Sequence, residues 1–115
     1  MSHSDLKQLT KAEELFDAGK LDEALELLED LDQLKGFDLQ QKGYYQVLKA
    51  KILFYQGKHE EAIKLGERIF KEGQKLNDNL QIVDGLTLAA MGLMEIRKWD
   101  DAFKYIEKAE ILLLE

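Results

Sequence analysis

Three heptapeptides of one design recur along the chain: Gly19-Lys20-Leu21-Asp22-Glu23-Ala24-Leu25, Gly57-Lys58-His59-Glu60-Glu61-Ala62-Ile63 and Arg97-Lys98-Trp99-Asp100-Asp101-Ala102-Phe103. Each runs from a tight-turn dipeptide through one large residue and two acids to an alanine and an apolar residue. Every part has a helical reason. Glycine accepts positive φ where a helix ends, and two acids in the first turn of the following helix are favoured by its macrodipole. The alanine allows a second helix to approach closely. Another small residue, Ala12, Ala50 or Ala90, stands twelve positions before each of these alanines and is expected to face it across a helical hairpin. Ala12, Ala24, Ala50, Ala62, Ala90, Ala102, Gly19 and Gly57 are thus read as structural repeat positions. A fixed period over helix pairs signals stacked hairpins.

Proline is absent, so nothing interrupts helix except turn signals. These fall at Gly19-Lys20, Lys35-Gly36-Phe37-Asp38, Gly57-Lys58, Asn77-Asp78-Asn79 and Arg97-Lys98. They predict six helices, over 5–18, 22–35, 39–56, 60–75, 79–96 and 100–114. Core stripes at helical spacing support the reading: Ala24, Leu27, Leu28, Leu31 and Leu34; Val47, Ala50, Leu53 and Phe54; Ala102, Ile106, Ala109, Leu112 and Leu113. Strict alternation over strand length is missing, so no sheet is expected.

The small residue in a first helix, the glycine-type turn and the acid–alanine pair in a second helix resemble the tetratricopeptide repeat family. Successive key alanines stand 38 and 40 residues apart, longer than the family's period of about 34, so the chain is similar to a long-helix variant. The resemblance implies an all-α fold, a right-handed α-solenoid of three hairpins, with repeats over about 5–37, 38–78 and 79–115. It departs from the family at Gln8, Gln46 and Leu86, where a tryptophan is usual, at Lys11, Lys49 and Ala89, where a leucine is, and at Arg97, in place of the turn glycine.

At 115 residues the chain makes one domain, expected over 5–115 with 1–4 as a disordered tail. Its formal charge of -7 repels phosphate backbones and anionic lipid, so neither nucleic acid nor membrane is an expected partner. No basic-then-apolar leader opens the sequence and no apolar run approaches the ~20 residues of a bilayer crossing. A cytoplasmic location is the expectation. Cysteine is absent, which removes disulfides and thiolate metal sites.

The solenoid resemblance implies that the first helix of each hairpin lines a concave face. Counting from the turns, the positions aimed into it are Leu9, Glu13 and Phe16, then Tyr44, Val47, Lys51 and Phe54, then Asp84, Thr87, Met91 and Met94. By spacing alone some of these equally read as core. Tyr44, Met91 and Met94 are the strongest groove candidates, since methionine adapts its shape and tyrosine adds area plus one hydrogen bond. Family members that grip a C-terminal carboxylate use basic and amide side chains here. This chain sets Lys51 between Glu13 and Asp84, and that function is rejected.

The end of the chain offers a second surface. Ile111, Leu112, Leu113 and Leu114 span nearly a full helical turn and cannot all face inward, so self-association or partner binding through the last hairpin is expected, against the alternative of tolerated exposed leucines. Between Leu21 and Leu34 six acids and no base form a ridge, read as a solvated face or as a docking surface for a basic partner.

Chemistry finds little support. Only two histidines exist, so no metal or other cofactor is expected, and His59 fills the turn slot of Leu21 and Trp99 as a packing residue. The pairs Glu60/Glu61 and Asp100/Asp101 recur at helix N-termini, where acids are stabilising without catalysis. No phosphate loop, Gly-x-Ser-x-Gly or His-Glu-x-x-His occurs. The expectation is a protein-interaction scaffold binding a peptide or helix, not an enzyme. Two alternatives stay open: a structural homodimer whose groove is self-occupied, and a small-ligand carrier or enzyme built on a deep polar pocket.

Overall fold

The computed structural model describes residues 3–31 and 37–114, and these are all-helical apart from the turns. Six helices follow in order: α1 (His3–Asp17), α2 (Leu21–Asp30), α3 (Leu39–Tyr55), α4 (His59–Leu76), α5 (Asn79–Glu95) and α6 (Trp99–Leu114). No strand occurs among the described residues. α1 already begins at His3, within the 1–4 segment expected as a disordered tail; Met1 and Ser2 lie outside the described residues. α2 ends at Asp30 rather than near 35, where Glu29 and Asp30 crowd its negative pole. Leu34, Asp32 and the Lys35-Gly36 turn lie outside the described residues.

The three short turns are superimposable in their bonding. Gly19 N–H donates to Phe16 O (2.9 Å) and Lys20 N–H to Leu15 O (2.8 Å); Gly57 and Lys58 donate to Phe54 O (3.0 Å) and Leu53 O (2.9 Å); Arg97 and Lys98 donate to Met94 O (3.0 Å) and Leu93 O (2.8 Å). In each, the lysine carbonyl then accepts the alanine N–H that opens the next helix: Ala24, Ala62 and Ala102. The residue at the corner is left-handed every time, with φ of 79° at Gly19, 82° at Gly57 and 63° at Arg97. Asp22 and Glu23, Glu60 and Glu61, and Asp100 and Asp101 fill the first turns beyond.

Arg97 therefore holds a conformation that costs a residue with a Cβ roughly 1–2 kcal/mol, partly offset because glycine loses up to about 1 kcal/mol more chain entropy on folding. Arg97→Gly is expected to stabilise the fold by about 0.5–1 kcal/mol, and Gly57→Arg to destabilise it by a similar amount. Urea midpoints of the two variants check the sign.

The N-termini of α3 and α5 are capped alike. Asp38 caps α3 by accepting from Gln41 N–H, with the Gln41 side chain returning to the Asp38 N–H; Asp78 caps α5 by accepting from Gln81 N–H.

Packing rests on the small residues. Ala12, Ala24, Ala50 and Ala62 are 0% exposed, and Ala90 and Ala102 are 1% exposed. Ala12 and Ala24 share one buried cluster with Leu9, Leu28, Tyr45 and Ile52, and Ala90 and Ala102 share another with Ile63 and Leu93. The middle hairpin is packed on both sides, and its two alanines divide: Ala62 lies in the first cluster, Ala50 beside Ile69 and Leu88. Each helix backbone approaches its chain neighbours; beyond that α1 approaches α3 and α3 approaches α5, while α2, α4 and α6 have no close backbone approach to one another, α4 and α6 meeting through side chains such as Phe70 and Tyr105.

The most extensive helix pair is α4–α5, where backbone meets backbone. A Cβ on Gly66 would lie 2.8 Å from Ala89 N, one on Gly73 2.9 Å from Ile82 N, and one on Gly85 2.6 Å from Gly66 O. Gly73 lies inside α4, as the predicted helix over 60–75 has it, and carries part of this helix–helix contact.

Candidate functional site

α1, α3 and α5 enclose a groove of about 300 Å³ lined by Phe16, Val47, Lys51, Phe54, Tyr55, Asp84, Thr87, Leu88 and Met91. Seven of these, all but Tyr55 and Leu88, are positions predicted to face a common surface. A second hollow of about 190 Å³ continues it, sharing Val47 and Asp84 and adding Tyr44, Leu80, Gln81, Gln40, Gly43 and Asp78.

The groove exists because three first helices turn equivalent faces to the same side. Val47, Lys51 and Phe54 follow at three- and four-residue intervals on α3, as do Asp84, Thr87 and Met91 on α5. At one end Phe16 and Tyr55 bring their rings to 5.8 Å, and Tyr55 meets Phe54 edge-on at 5.2 Å. His59 packs behind, its ring tilted against Phe54 at 5.4 Å, the kind of packing contact expected of it. At the other end Tyr44 is 43% and Leu80 72% exposed, so the second hollow is rimmed by large apolar side chains.

Two charges stand in this apolar setting. Burial pushes the Asp84 carboxyl above its usual value, opposed by nearby Lys51 and reinforced by Asp78. Gln81, the one buried polar residue among those described, donates from Nε2 to Ile69 O (3.1 Å), and Gly43 makes room for it: a Cβ there would lie 2.7 Å from Gln81 Oε1.

Three predicted positions lie elsewhere. Leu9 is 4% exposed and packs among Ala12, Leu28 and Tyr45, because the α1 stripe that carries it is turned toward α2 and α3. Met94 packs against α6 with Tyr105 and Ile106, one turn too close to the Arg97 corner to reach the groove. Glu13 is exposed and lines neither hollow. Tyr55, the last residue of α3, was missed because its place next to the Gly57 turn hides it from a stripe count.

The C-terminal aliphatics separate. Leu112 packs with Phe70, Ile82, Leu86 and Ala109, whereas Ile111, Leu113 and Leu114 are exposed. Ile111 borders a hollow of about 370 Å³ beside Tyr105, Lys104 and Lys108. There Tyr105 OH donates to Glu67 Oε2 at 2.5 Å, and burial first, then that bond and the charges of Glu67 and Asp101, push the phenol up to about 12. A further hollow, about 510 Å³, lies at the turns, lined by Gly19, Lys20, Leu21, Asp22, Glu23, Gln56 and Lys58. Apart from Leu21 its lining is charged and amide side chains and turn backbone. Of the acidic ridge, Asp22, Glu23, Glu26, Glu29 and Asp30 are exposed, and Asp22 accepts from Gln56 Nε2.

Among the described residues no three His, Cys, Asp or Glu side chains gather as a metal site, and no helix is long and apolar enough to cross a membrane. No protein-family model, curated protein or solved structure matches the chain. Its reading therefore rests on its own geometry.

Proposed function

We propose that the chain is a protein-interaction scaffold of tetratricopeptide type, three hairpins stacked in a right-handed solenoid, whose concave face holds a peptide or a short helix. Backbone contact between α1 and α3 and between α3 and α5, with none of α1 or α2 against α5 or α6 among the described residues, supports an open stack over a closed bundle. The observation that carries the function is the groove itself. Phe16, Val47, Phe54, Tyr55 and Met91 offer an apolar floor, with Lys51 and Asp84 as the only charges lining it. An apolar trough with a few fixed polar groups is suited to an amphipathic segment, its side chains seated and its register set by one acid and one base. The adaptable Met91 fits the same use. No enzymatic role is proposed, and a cytoplasmic scaffold fits the composition.

A random peptide library displayed on phage and panned on the immobilised chain tests this. Selected peptides should bind Val47→Glu and Met91→Glu at least about tenfold more weakly, about 1.4 kcal/mol, and should bind Leu113→Lys as they bind the parent. Peptides indifferent to both groove changes would overturn the proposal.

A further inference from the structure

α4 meets α5 along Ile63, Gly66, Phe70 and Gly73: a Cβ on Gly92 would lie 2.5 Å from Ile63 Cγ1, Gly85 abuts Phe70 N, and Gly66 and Gly73 abut Ala89 and Ile82. The same face of α2, 38 residues earlier, presents Leu25 and Leu28, 7% and 0% exposed, with Tyr45 OH of α3 donating to Leu28 O. In both hairpins this face of the second helix is covered by the helix that follows. On α6, 40 residues after α4, the corresponding positions are Phe103, Ile106, Glu110 and Leu113, preceded one turn earlier by Trp99. Trp99 is 49%, Phe103 57% and Leu113 70% exposed. About half or more of each of these side chains is left open.

We infer that this face of α6 is a docking surface, separate from the groove, for an amphipathic helix with small residues along its buried stripe and basic residues on its flanks. The repeat register says what kind of element fits, because the face takes a helix in both preceding hairpins. Side-chain size says what that helix carries. Ile106 is half-buried against the α5–α6 core, and where α4 offers Gly73, α6 offers the exposed Leu113, with the exposed Phe103 earlier on the same helix, so close approach requires the small residues on the incoming helix, as α5 supplies Gly85, Ala89 and Gly92.

Charge sets the flanks. The ionised side chains of α6 in and beside this stripe are Glu110 and Asp100, both acids, while Lys104 and Lys108 line the hollow beside α4 together with Tyr105 and Glu107. Glu110 stands within the stripe at the position Phe70 holds in α4, where a lysine or arginine reaching across would pair with it. A second copy of the chain would bring the same acids against each other, which disfavours self-pairing.

Trp99 is the only tryptophan and reports on the site directly. Two synthetic helical peptides of equal length, sharing one leucine and alanine stripe and carrying either lysine or glutamate flanks, are titrated into the full chain while its mass is followed by sedimentation. The expected result is a monomer whose Trp99 emission shifts to shorter wavelength with the lysine-flanked peptide. The glutamate-flanked peptide should bind at least about tenfold more weakly, and Glu110→Gln should narrow that gap. Phe103→Glu, a change at an exposed position that leaves helix content intact, should abolish the shift, and Val47→Glu should leave it unchanged. Equal affinity for both peptides, no shift with either, or loss of the shift in Val47→Glu overturns the inference. So does a peptide-free dimer with Trp99 already buried, which would make a second copy the occupant.

Discussion

Gly85→Ala is expected to lower the unfolding free energy by about 3 kcal/mol, within the range of overpacking at a tight contact. At an ordinary helix position the change is stabilising by up to about 1 kcal/mol, because alanine has the higher helix propensity. Here the sign reverses. The added methyl group would lie 2.6 Å from Gly66 O and against Phe70 N and Cβ, and backbone on a rigid helix cannot step aside as a flexible side chain can. α4 and α5 must part, and Ile82, Leu86 and Phe70 lose packing with them. Urea unfolding of Gly85→Ala beside Thr87→Ala, an exposed position one half-turn away, separates propensity from collision: the first should lose stability and the second should not.

Leu28→Ala should cost about 3–4 kcal/mol, as fully buried leucine truncations do when a cavity remains. Leu28 is 0% exposed and sits where α1, α2 and α3 converge, with Leu9, Ala12, Tyr45 and Ile52 around it. Its carbonyl also anchors Tyr45 OH at 3.0 Å, so movement of α2 into the void would disturb that bond. The same truncation at Leu113, 70% exposed, should change stability by no more than about 0.5 kcal/mol. Denaturant midpoints of the two variants compare one chemical change at two depths.

The turns and the helices were legible because their signals are local. Gly19 and Gly57 announce left-handed corners by composition, and only the repeat register reveals that Arg97 takes the same conformation without glycine. Of the groove, the positions at regular spacing on α3 and α5 were legible, because helix geometry alone sends Val47, Lys51, Phe54, Asp84, Thr87 and Met91 to one side. Leu9 and Met94 were not, since which edge of a stripe faces core or solvent depends on where α2 and α6 lie, and sequence spacing carries no such information. The α4–α5 seam was hidden for another reason. A glycine inside a helical pattern gives no sign of close packing by itself, so Gly66, Gly73, Gly85 and Gly92 show their contacts only once the opposing helix is placed.

The central claim is that three equivalent hairpins lie in a row, leaving one side of α1, α3 and α5 open as a groove. The chain has no cysteine, so spin labels can be placed at Glu13→Cys on α1 and Lys104→Cys on α6 without background. Pulsed electron–electron dipolar spectroscopy then measures their separation. The account predicts a single narrow distribution at roughly 20 Å or more, at least two helix-to-helix spacings of about 10 Å; a distribution centred near one such spacing, with α6 folded back beside α1, would contradict it.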